Sequence, residues 1–261
     1  MPNSLVSFWK KFNPPGTKPY LHPDDRDWFE KKEPTATKQE AESFESFIRG
    51  TRFGREDKHL HLSLLPSPFH GNLDKANIFI LLMNPGFSDS DYYAYEHPAF
   101  RAASIANLRQ KNIDRRFPYF SLDPQFAWSG AYRWIASRMG PILHEIAEKR
   151  NFSYYEALSF LSKQIAVIEL FPYHSGDGRA IPNRVWRELP SVIEARTFVR
   201  DELCRSPKRP LILMARSRDK WDISDKSIFG YSSGRVITFN PKLKTKAGDA
   251  GKAILAKLNI S

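Results

Sequence analysis

An asparagine, a proline and a glycine directly follow the most apolar run of the chain, "IFILLM" (Ile78 to Met83). A run of this kind predicts a strand buried on both faces, and Asn84-Pro85-Gly86 makes a turn that ends it. A neutral amide at this point has two readings: Asn84 caps the turn, or its oxygen holds a water molecule or a ligand. Asn84, Pro85, Gly86 and Phe87 are therefore candidate site residues.

Three further short apolar runs predict strands, and each ends in polar, sharply turning sequence: "IAVIELF" (Ile165 to Phe171), "PLILMA" (Pro210 to Ala215) and "RVITF" (Arg235 to Phe239). Amphipathic helical patterns lie between the runs. Buried strands that alternate with helices predict an α/β fold, a three-layer α/β/α sandwich with a central four-stranded parallel sheet.

In open parallel sheets, ligands bind at the carboxyl ends of the strands. Tyr173 and His174 follow the second predicted strand, Arg216 and Arg218 the third, and Asn240 the fourth. The Tyr-His pair recognises the edge of a ligand or supplies a general acid, or else His174 is a hydrogen-bonded structural residue. The two arginines either bind phosphate or lie in a solvated turn. All five residues are expected at one rim of the sheet.

The charge of the chain is uneven. Forty lysines and arginines against 29 acidic residues leave +11, and residues 205–261 contain thirteen basic and four acidic residues, a net charge of +9. Such a field favours binding of a polyanion, most simply nucleic acid. The alternative interpretation is that the lysines only solvate one face of the protein. Four aromatic residues near these charges favour stacking with unpaired bases: Trp221, Phe229, Tyr231 and Phe239.

The organisation predicted along the chain is one α/β domain over residues 1–261. Residues 1–70 form an N-terminal arm and a helix packed on that domain. Residues 88–129 form an insertion rich in aromatic and basic side chains. This insertion either builds a lid or a strand-binding groove, or it is an ordinary subdomain with a small aromatic core.

The sequence also argues against several classes of protein. A single cysteine, Cys204, excludes an intramolecular disulfide and a thiolate-rich metal site, and the N-terminus lacks the pattern of a signal peptide. No apolar run approaches the roughly 20 residues that cross a bilayer. The acids of "HPDDRDWFE" lack a supporting ligand cluster and are read as charges at a helix N-terminus. We expect a cytoplasmic protein with no metal, no cofactor and no membrane contact.

The segment "LLMNPGF" resembles the first motif of the uracil-DNA glycosylase superfamily, in which a buried strand runs into a water-activating loop. The similarity extends in order over roughly residues 76–261. The fourth strand of that superfamily runs into a His-Pro loop and a residue that wedges into the minor groove, and "VITFNPKL" occupies this place here. Asn240 stands where the histidine would be, and the second strand lacks the usual recognition asparagine.

The resemblance implies a hydrolase that removes uracil or a related damaged base from DNA by base flipping and water attack at the sugar. Single-stranded DNA is one candidate form of this substrate. Asn84, Asn240 and His174 are then the catalytic candidates. Pro85, Gly86, Phe87 and Tyr173 bound the base, and Arg216, Arg218, Lys242, Leu243 and Lys244 contact DNA, with Leu243 as the wedge. Two alternatives stay open: a nucleic-acid-binding relative without catalytic activity, and an enzyme of free nucleosides or nucleotides.

Overall fold

The computed structural model describes residues 3–14, 18–37, 41–51, 53–54, 59–176, 181–215, 218–230 and 238–260. Its strands are β1 (Phe69–His70), β2 (Ile78–Leu82), β3 (Ile165–Glu169), β4 (Leu211–Met214) and β5 (Ile228–Gly230). They form one sheet in the order β1-β3-β2-β4-β5. Neighbours among β3, β2, β4 and β5 are parallel, whereas β1 is antiparallel to β3. The fold is α/β, but the sheet is five-stranded and mixed rather than four-stranded and parallel.

The fourth predicted strand, residues 235–239, is a strand in neither of its two described residues. Of the predicted strand 235–239, residues 235–237 fall outside the described part of the chain, and Thr238 and Phe239 lie outside any strand. The backbone N–H of Phe239 instead donates to the carbonyl of Arg138 at 2.9 Å. Strand propensity is realised only where a partner edge is open, and β5 already pairs with β4.

Helices connect the strands and cover them. Their bounds are α1 (Ser4–Trp9), α2 (Pro23–Lys32), α3 (Phe44–Ile48), α4 (Asp91–Glu96), α5 (Pro98–Arg109), α6 (Gly130–Arg150), α7 (Tyr154–Ser162), α8 (Asn183–Glu188), α9 (Pro190–Thr197), α10 (Arg218–Trp221) and α11 (Lys246–Lys257). Short 3₁₀ segments span Pro34–Thr37, Phe120–Leu122 and Pro124–Phe126, and a π-helical segment spans Phe198–Leu203. None of the helices in the described residues has both the length and the apolar composition needed to cross a membrane.

Both faces of the sheet are buried. Ile78 and Ile80 of β2 belong to one apolar cluster, together with buried residues of α6, α7 and α11. Phe79 and Leu81 belong to a second cluster, which includes buried residues of α1, α2, α5 and α9. Successive side chains of a strand point to opposite faces, so the continuous apolar run of β2 fills both clusters.

The long helix α6 continues without interruption through Gly140 and Pro141. A proline inside a helix costs about 3 kcal/mol. Met139 and Ile142, on either side of these two residues, are both fully buried in the same cluster. Burying one such side chain contributes about 1.5–3 kcal/mol, so the shared apolar face offsets the cost of the proline.

The N-terminal arm packs on the rest of the chain through aromatic side chains. Trp9 of α1 and Phe29 of α2 are buried in the second apolar cluster. Asp24 and Asp25 lie in the first turn of α2, as expected for charges at a helix N-terminus. Asp25 has a further role, because it is completely buried.

Candidate functional site

A cavity of ≈ 290 Å³ opens at the carboxyl ends of β2 and β3. It lies where the strand order changes direction, because β3 is on one side of β2 and β4 is on the other. Ligands of open α/β sheets bind at such a switch point. The described wall residues come from β1 and the residues before it, from the ends of β2 and β3, from the 88–129 insertion and from the start of α6: Ser67, His70, Leu82, Met83, Asn84, Pro85, Gly86, Phe87, Ser88, Asp91, Tyr95, Phe100, Tyr119, Ser121, Gly130, Ala131, Trp134, Glu169, His174, Ser175 and Gly176.

Asn84 lies in the cavity wall with its side-chain orientation fixed. Its Nδ2 donates to the backbone carbonyl of Ser175 at 3.1 Å. A carbonyl only accepts hydrogen bonds, so the amide nitrogen must face Ser175 and the Oδ1 atom must face away from it. No donor among the described residues contacts Oδ1. The arrangement leaves one oriented acceptor at the end of β2.

The loop that follows Asn84 depends on glycine and on aromatic packing. Gly86 has a φ of 69°, and a Cβ added there would meet nothing within 4 Å. Glycine is therefore favoured at position 86 because of the backbone conformation, and not because a side chain would be crowded there. Phe87 stacks on His61 with ring centroids 3.5 Å apart and an interplanar angle of 9°. One face of the Phe87 ring is thus covered by the protein.

His174 holds this loop against the segment after β3. Its Nδ1 lies 3.0 Å from the carbonyl oxygen of Gly86 and its Nε2 lies 3.1 Å from the hydroxyl of Tyr95. The carbonyl requires Nδ1–H as donor, so Nε2 accepts from Tyr95. Burial lowers the pKa of His174 to about 4, which keeps the ring neutral at pH 7. With both nitrogens engaged, His174 positions the loop and does not supply a proton.

Two carboxylates that sequence reasoning missed lie in the cavity wall. Asp91 accepts from the backbone N–H of Ser88 at 2.8 Å and from its hydroxyl at 3.1 Å. Burial raises the pKa of Asp91 to about 6. Glu169 is the last residue of β3 and is 4% exposed. Burial raises the pKa of Tyr119, and the negative charge of Glu169 adds to this increase.

A neutral histidine completes the polar wall. Burial, with a smaller contribution from His174, lowers the pKa of His70 to about 4. Its ring packs beside Tyr119 and Phe120, with centroids 5.8 and 5.4 Å away. The sequence carried no signal for His70, which lies in the two-residue strand β1. Glu169 did carry one, since an acid at the end of an apolar strand is rarely buried without a reason.

Tyr173 does not bound the cavity, contrary to the prediction. It is 1% exposed, and its hydroxyl donates to Oδ2 of Asp25 at 2.6 Å and accepts from the N–H of His22 at 3.1 Å. Oδ1 of Asp25 accepts from the N–H of Ser191 at 2.9 Å. This network joins the N-terminal arm to the end of β3. Tyr173 thus faces the N-terminal arm, whereas the next residue, His174, lies in the cavity wall.

Asn240 also lies outside the described cavity wall. Its Oδ1 accepts from the N–H of Lys242 at 3.0 Å, and its carbonyl accepts from the N–H of Leu243. The side chain therefore shapes a turn. This turn contacts Arg138 through the preceding Phe239, about 6 Å along α6 from the wall residue Trp134.

The predicted DNA contacts that the structure describes are exposed and are not wall residues of the cavity. Leu243 is 44% exposed. Lys244 and Arg218 are exposed, and Lys242 pairs with Glu145 of α6 at 2.9 Å. Arg216 lies outside the described residues. The four described residues therefore lie apart from the cavity wall that contains Asn84.

Two of the four aromatic residues near the basic C-terminal segment are not available for stacking on a base. Trp221 and Phe239 are buried in the two apolar clusters. Phe229 is half-buried against the cluster that contains α6, and Tyr231 lies outside the described residues. The indole N–H of Trp221 donates to the carbonyl of Leu82 at 3.1 Å. Trp221 therefore fixes the end of β2 and is not a base platform.

The 88–129 insertion forms part of the cavity wall and also has a core of its own. Tyr95, Phe100 and Tyr119 are buried and line the cavity. Phe100 and Phe126 pack edge to face at 5.3 Å. The insertion therefore has the aromatic core of an ordinary subdomain, and part of that core lines the cavity. The lid or strand-binding groove stays a prediction.

In the part of the chain that the structure describes, no three His, Cys, Asp or Glu side chains converge as metal ligands. Comparisons of the chain with protein-family models, with curated proteins and with solved structures each found no match. Function is therefore inferred from the polar cavity at the strand switch point, which contains an oriented asparagine and two carboxylates.

Proposed function

We propose that the protein is a glycosylase-like hydrolase that binds a flipped base of DNA in the cavity and cleaves its bond to the sugar. The observation that carries this proposal is the oriented amide of Asn84. Its Nδ2 is held by Ser175 at 3.1 Å, and its Oδ1 is left as an acceptor for the attacking water at the switch point of the sheet.

The fold supports the same proposal. Four strands run parallel, with the first of them, β2, between its successors β3 and β4. Apolar clusters with helices lie on both faces. These features agree with the three-layer sandwich that the resemblance to the uracil-DNA glycosylase superfamily implies, with β1 as an added edge strand.

The wall supplies the groups that the reaction needs. Water, held by Asn84, attacks C1′ of the sugar while the bond from C1′ to the base nitrogen breaks and its electron pair leaves with the base. Asp91, with a pKa of about 6, is mostly ionised at pH 7 and takes the proton of the water. The carboxylates of Asp91 and Glu169 stabilise the positive charge that develops on the sugar.

The charge of the cavity wall distinguishes the proposed hydrolase from an enzyme of free nucleotides. None of its described wall residues is a lysine or an arginine, so the described wall offers no cation in direct contact with a phosphate. A base with its sugar fits this wall, while the phosphates of a strand stay outside, near exposed residues such as Lys244. An enzyme of free nucleotides is disfavoured. A nucleoside hydrolase and a binding protein without turnover remain as competitors.

A mass-spectrometric assay of free-base release tests the proposal. Single- and double-stranded oligonucleotides that carry uracil, hypoxanthine, xanthine, guanine or an oxidised guanine are incubated with the protein, and the matching free nucleosides are incubated in parallel. We expect release from oligonucleotides, with binding that weakens steeply as salt rises. Release from nucleosides alone would favour the nucleoside hydrolase. Salt-sensitive binding without any release would leave the binding protein.

A further inference from the structure

Arg138 carries a half-buried positive charge one helical turn away from the cavity wall. It lies four residues after the wall residue Trp134 on α6, and its guanidinium carbon lies 5.3 Å from the centroid of the Trp134 ring. Residues four apart on a helix are neighbours on one face, and the electron-rich face of an indole attracts a guanidinium. Arg138 is therefore anchored on a side chain that lines the cavity.

The described residues give Arg138 no carboxylate that would neutralise its charge. Its Nη1 donates to the hydroxyl of Ser137 at 2.7 Å, and a hydroxyl carries no charge. Its Nε is sealed from solvent and has no hydrogen-bond partner in the described part of the chain. A guanidinium has five N–H groups, so the terminal nitrogens keep donors for a further acceptor. A partly desolvated cation without a counter-charge favours an anion as its ligand.

Arg138 also lies between the cavity and the turn that the sequence assigned to DNA. Trp134, Arg138 and Glu145 occupy one stripe of α6, because these positions differ by no more than about 40° around the helix axis. Along that axis, Arg138 lies about 6 Å from Trp134, and Glu145 lies about 17 Å from it. Glu145 pairs with Lys242 of the turn at 2.9 Å, and the carbonyl of Arg138 accepts from the N–H of Phe239 at 2.9 Å. A strand that runs from this turn to the cavity therefore passes Arg138.

We propose that Arg138 binds a backbone phosphate next to the nucleotide whose base enters the cavity. Two N–H groups of a guanidinium match two oxygens of a phosphate. With the base inside the cavity, the sugar lies at its mouth and the phosphate follows outside, where Arg138 holds its unneutralised charge. This inference rests on the proposed function, and it adds a binding residue for the substrate strand beside the cavity.

The salt dependence of DNA binding tests this contact. A fluorescent single-stranded oligonucleotide is titrated with the full-length wild type and with Arg138→Gln at several concentrations of sodium chloride. Each neutralised phosphate contributes about −0.7 to −0.9 to the slope of log K against log salt. We expect Arg138→Gln to lose one such contribution and to bind about five- to eightfold more weakly at 0.1 M salt.

Two further variants separate the charge of Arg138 from its packing. Arg138→Lys keeps the charge and loses the planar fork, so we expect weaker binding with the salt slope of the wild type. Arg187 of α8 is exposed, and its neighbours Val185 and Trp186 pack in the cluster on the other face of the sheet. Arg187→Gln therefore removes the same charge away from the proposed path of the strand, and we expect it to bind like the wild type.

Neutral methylphosphonates, placed at one phosphate at a time, locate the contact. The oligonucleotide carries a base that the wild type releases, and release is measured at protein concentrations below saturation. We expect neutralisation of one of the two phosphates that flank this base to slow release by the wild type. The same neutralisation should have no further effect in Arg138→Gln, because both changes remove one contact.

An unchanged salt slope in folded Arg138→Gln would overturn the inference, as would additive effects of the variant and the methylphosphonate at both flanking phosphates. Equal release by the wild type from all singly neutralised oligonucleotides would also overturn it, and this comparison needs no variant that folds. Calorimetric titration with inorganic phosphate is the third measurement. Tight binding that Arg138→Gln abolishes, with no change in the DNA slope, would identify a site for a free anion instead.

The same preparations distinguish this inference from the proposed function. Base release by the wild type together with an unchanged salt slope in Arg138→Gln overturns the phosphate contact alone. A smaller slope in Arg138→Gln without any base release by the wild type overturns the hydrolase and leaves the phosphate contact.

Discussion

Asp25 makes the stability of the protein depend on pH in a direction that is unusual for an aspartate. It is completely buried between the N-terminal arm and the end of β3, where it accepts from Tyr173 and Ser191. Burial raises the pKa of Asp25 from 3.8 to about 6, against the opposing effect of those hydrogen bonds. The folded protein therefore binds this proton more tightly than the unfolded chain does.

The size of this pH dependence follows from the shift in the pKa of Asp25. The contribution of Asp25 to the free energy of unfolding is fully present below the unfolded pKa of 3.8 and is lost as the pH rises through about 6. A difference of about two pKa units, at 1.36 kcal/mol per unit, amounts to about 3 kcal/mol. Most paired aspartates behave in the opposite way and stabilise a protein as the pH rises.

Urea unfolding of the wild type and of Asp25→Asn between pH 3.5 and 7.5 measures this contribution. The asparagine does not ionise, so we expect the stability of the variant relative to that of the wild type to rise by about 3 kcal/mol over this range. Asp27→Asn, at an exposed position of the same helix, is the matched control. A difference between wild type and Asp25→Asn that stays constant with pH, or that falls, would refute the reasoning.

Three other perturbations address the cavity and the surface next to it. Gly86→Ala should lower the free energy of unfolding by about 1–2 kcal/mol, and Gly86→Asn by less, since asparagine tolerates the left-handed region; urea unfolding checks both. Gly248→Ala would place a Cβ 1.9 Å from the carbonyl oxygen of Leu243, so the turn that contains Leu243 must move. We expect weaker DNA binding in a titration at fixed salt, and a circular dichroism spectrum that matches the wild type. Base release should be about tenfold slower at pH 5 than at pH 7 as Asp91 is protonated, and a pH–rate profile of Asp91→Asn should lack this limb.

The sequence was most informative where one local pattern decides the structure. Continuous apolar runs predicted β2, β3 and β4 to within two residues at each end, because a strand of a parallel sheet is buried on both faces. The strand β1 has two residues, which is too short for any pattern. The run that contains Phe239 has strand propensity, but the edge beside β4 belongs to β5, and competition for an edge is a tertiary property.

The candidate site likewise contains residues that a local sequence pattern predicted and residues that only the tertiary structure brings together. Asn84 and Gly86 were predicted because the turn after a buried strand is visible in the sequence, and both line the cavity. Asp91 and His70 come from other elements, and only the packing of the insertion and of β1 brings them to the wall. Tyr173 was misplaced because adjacent residues outside a regular strand give no indication of which one faces the site.

The central claim is that Asn84 holds the water that cleaves the bond between base and sugar. The most direct test is the single-turnover rate of base release at saturating protein, for wild type, Asn84→Ala and the exposed control Asn183→Ala. We expect Asn84→Ala to lower the rate at least about 100-fold with DNA binding unchanged, and Asn183→Ala to match the wild type. Equal rates for Asn84→Ala and the wild type would contradict the claim and place the chemistry at other residues.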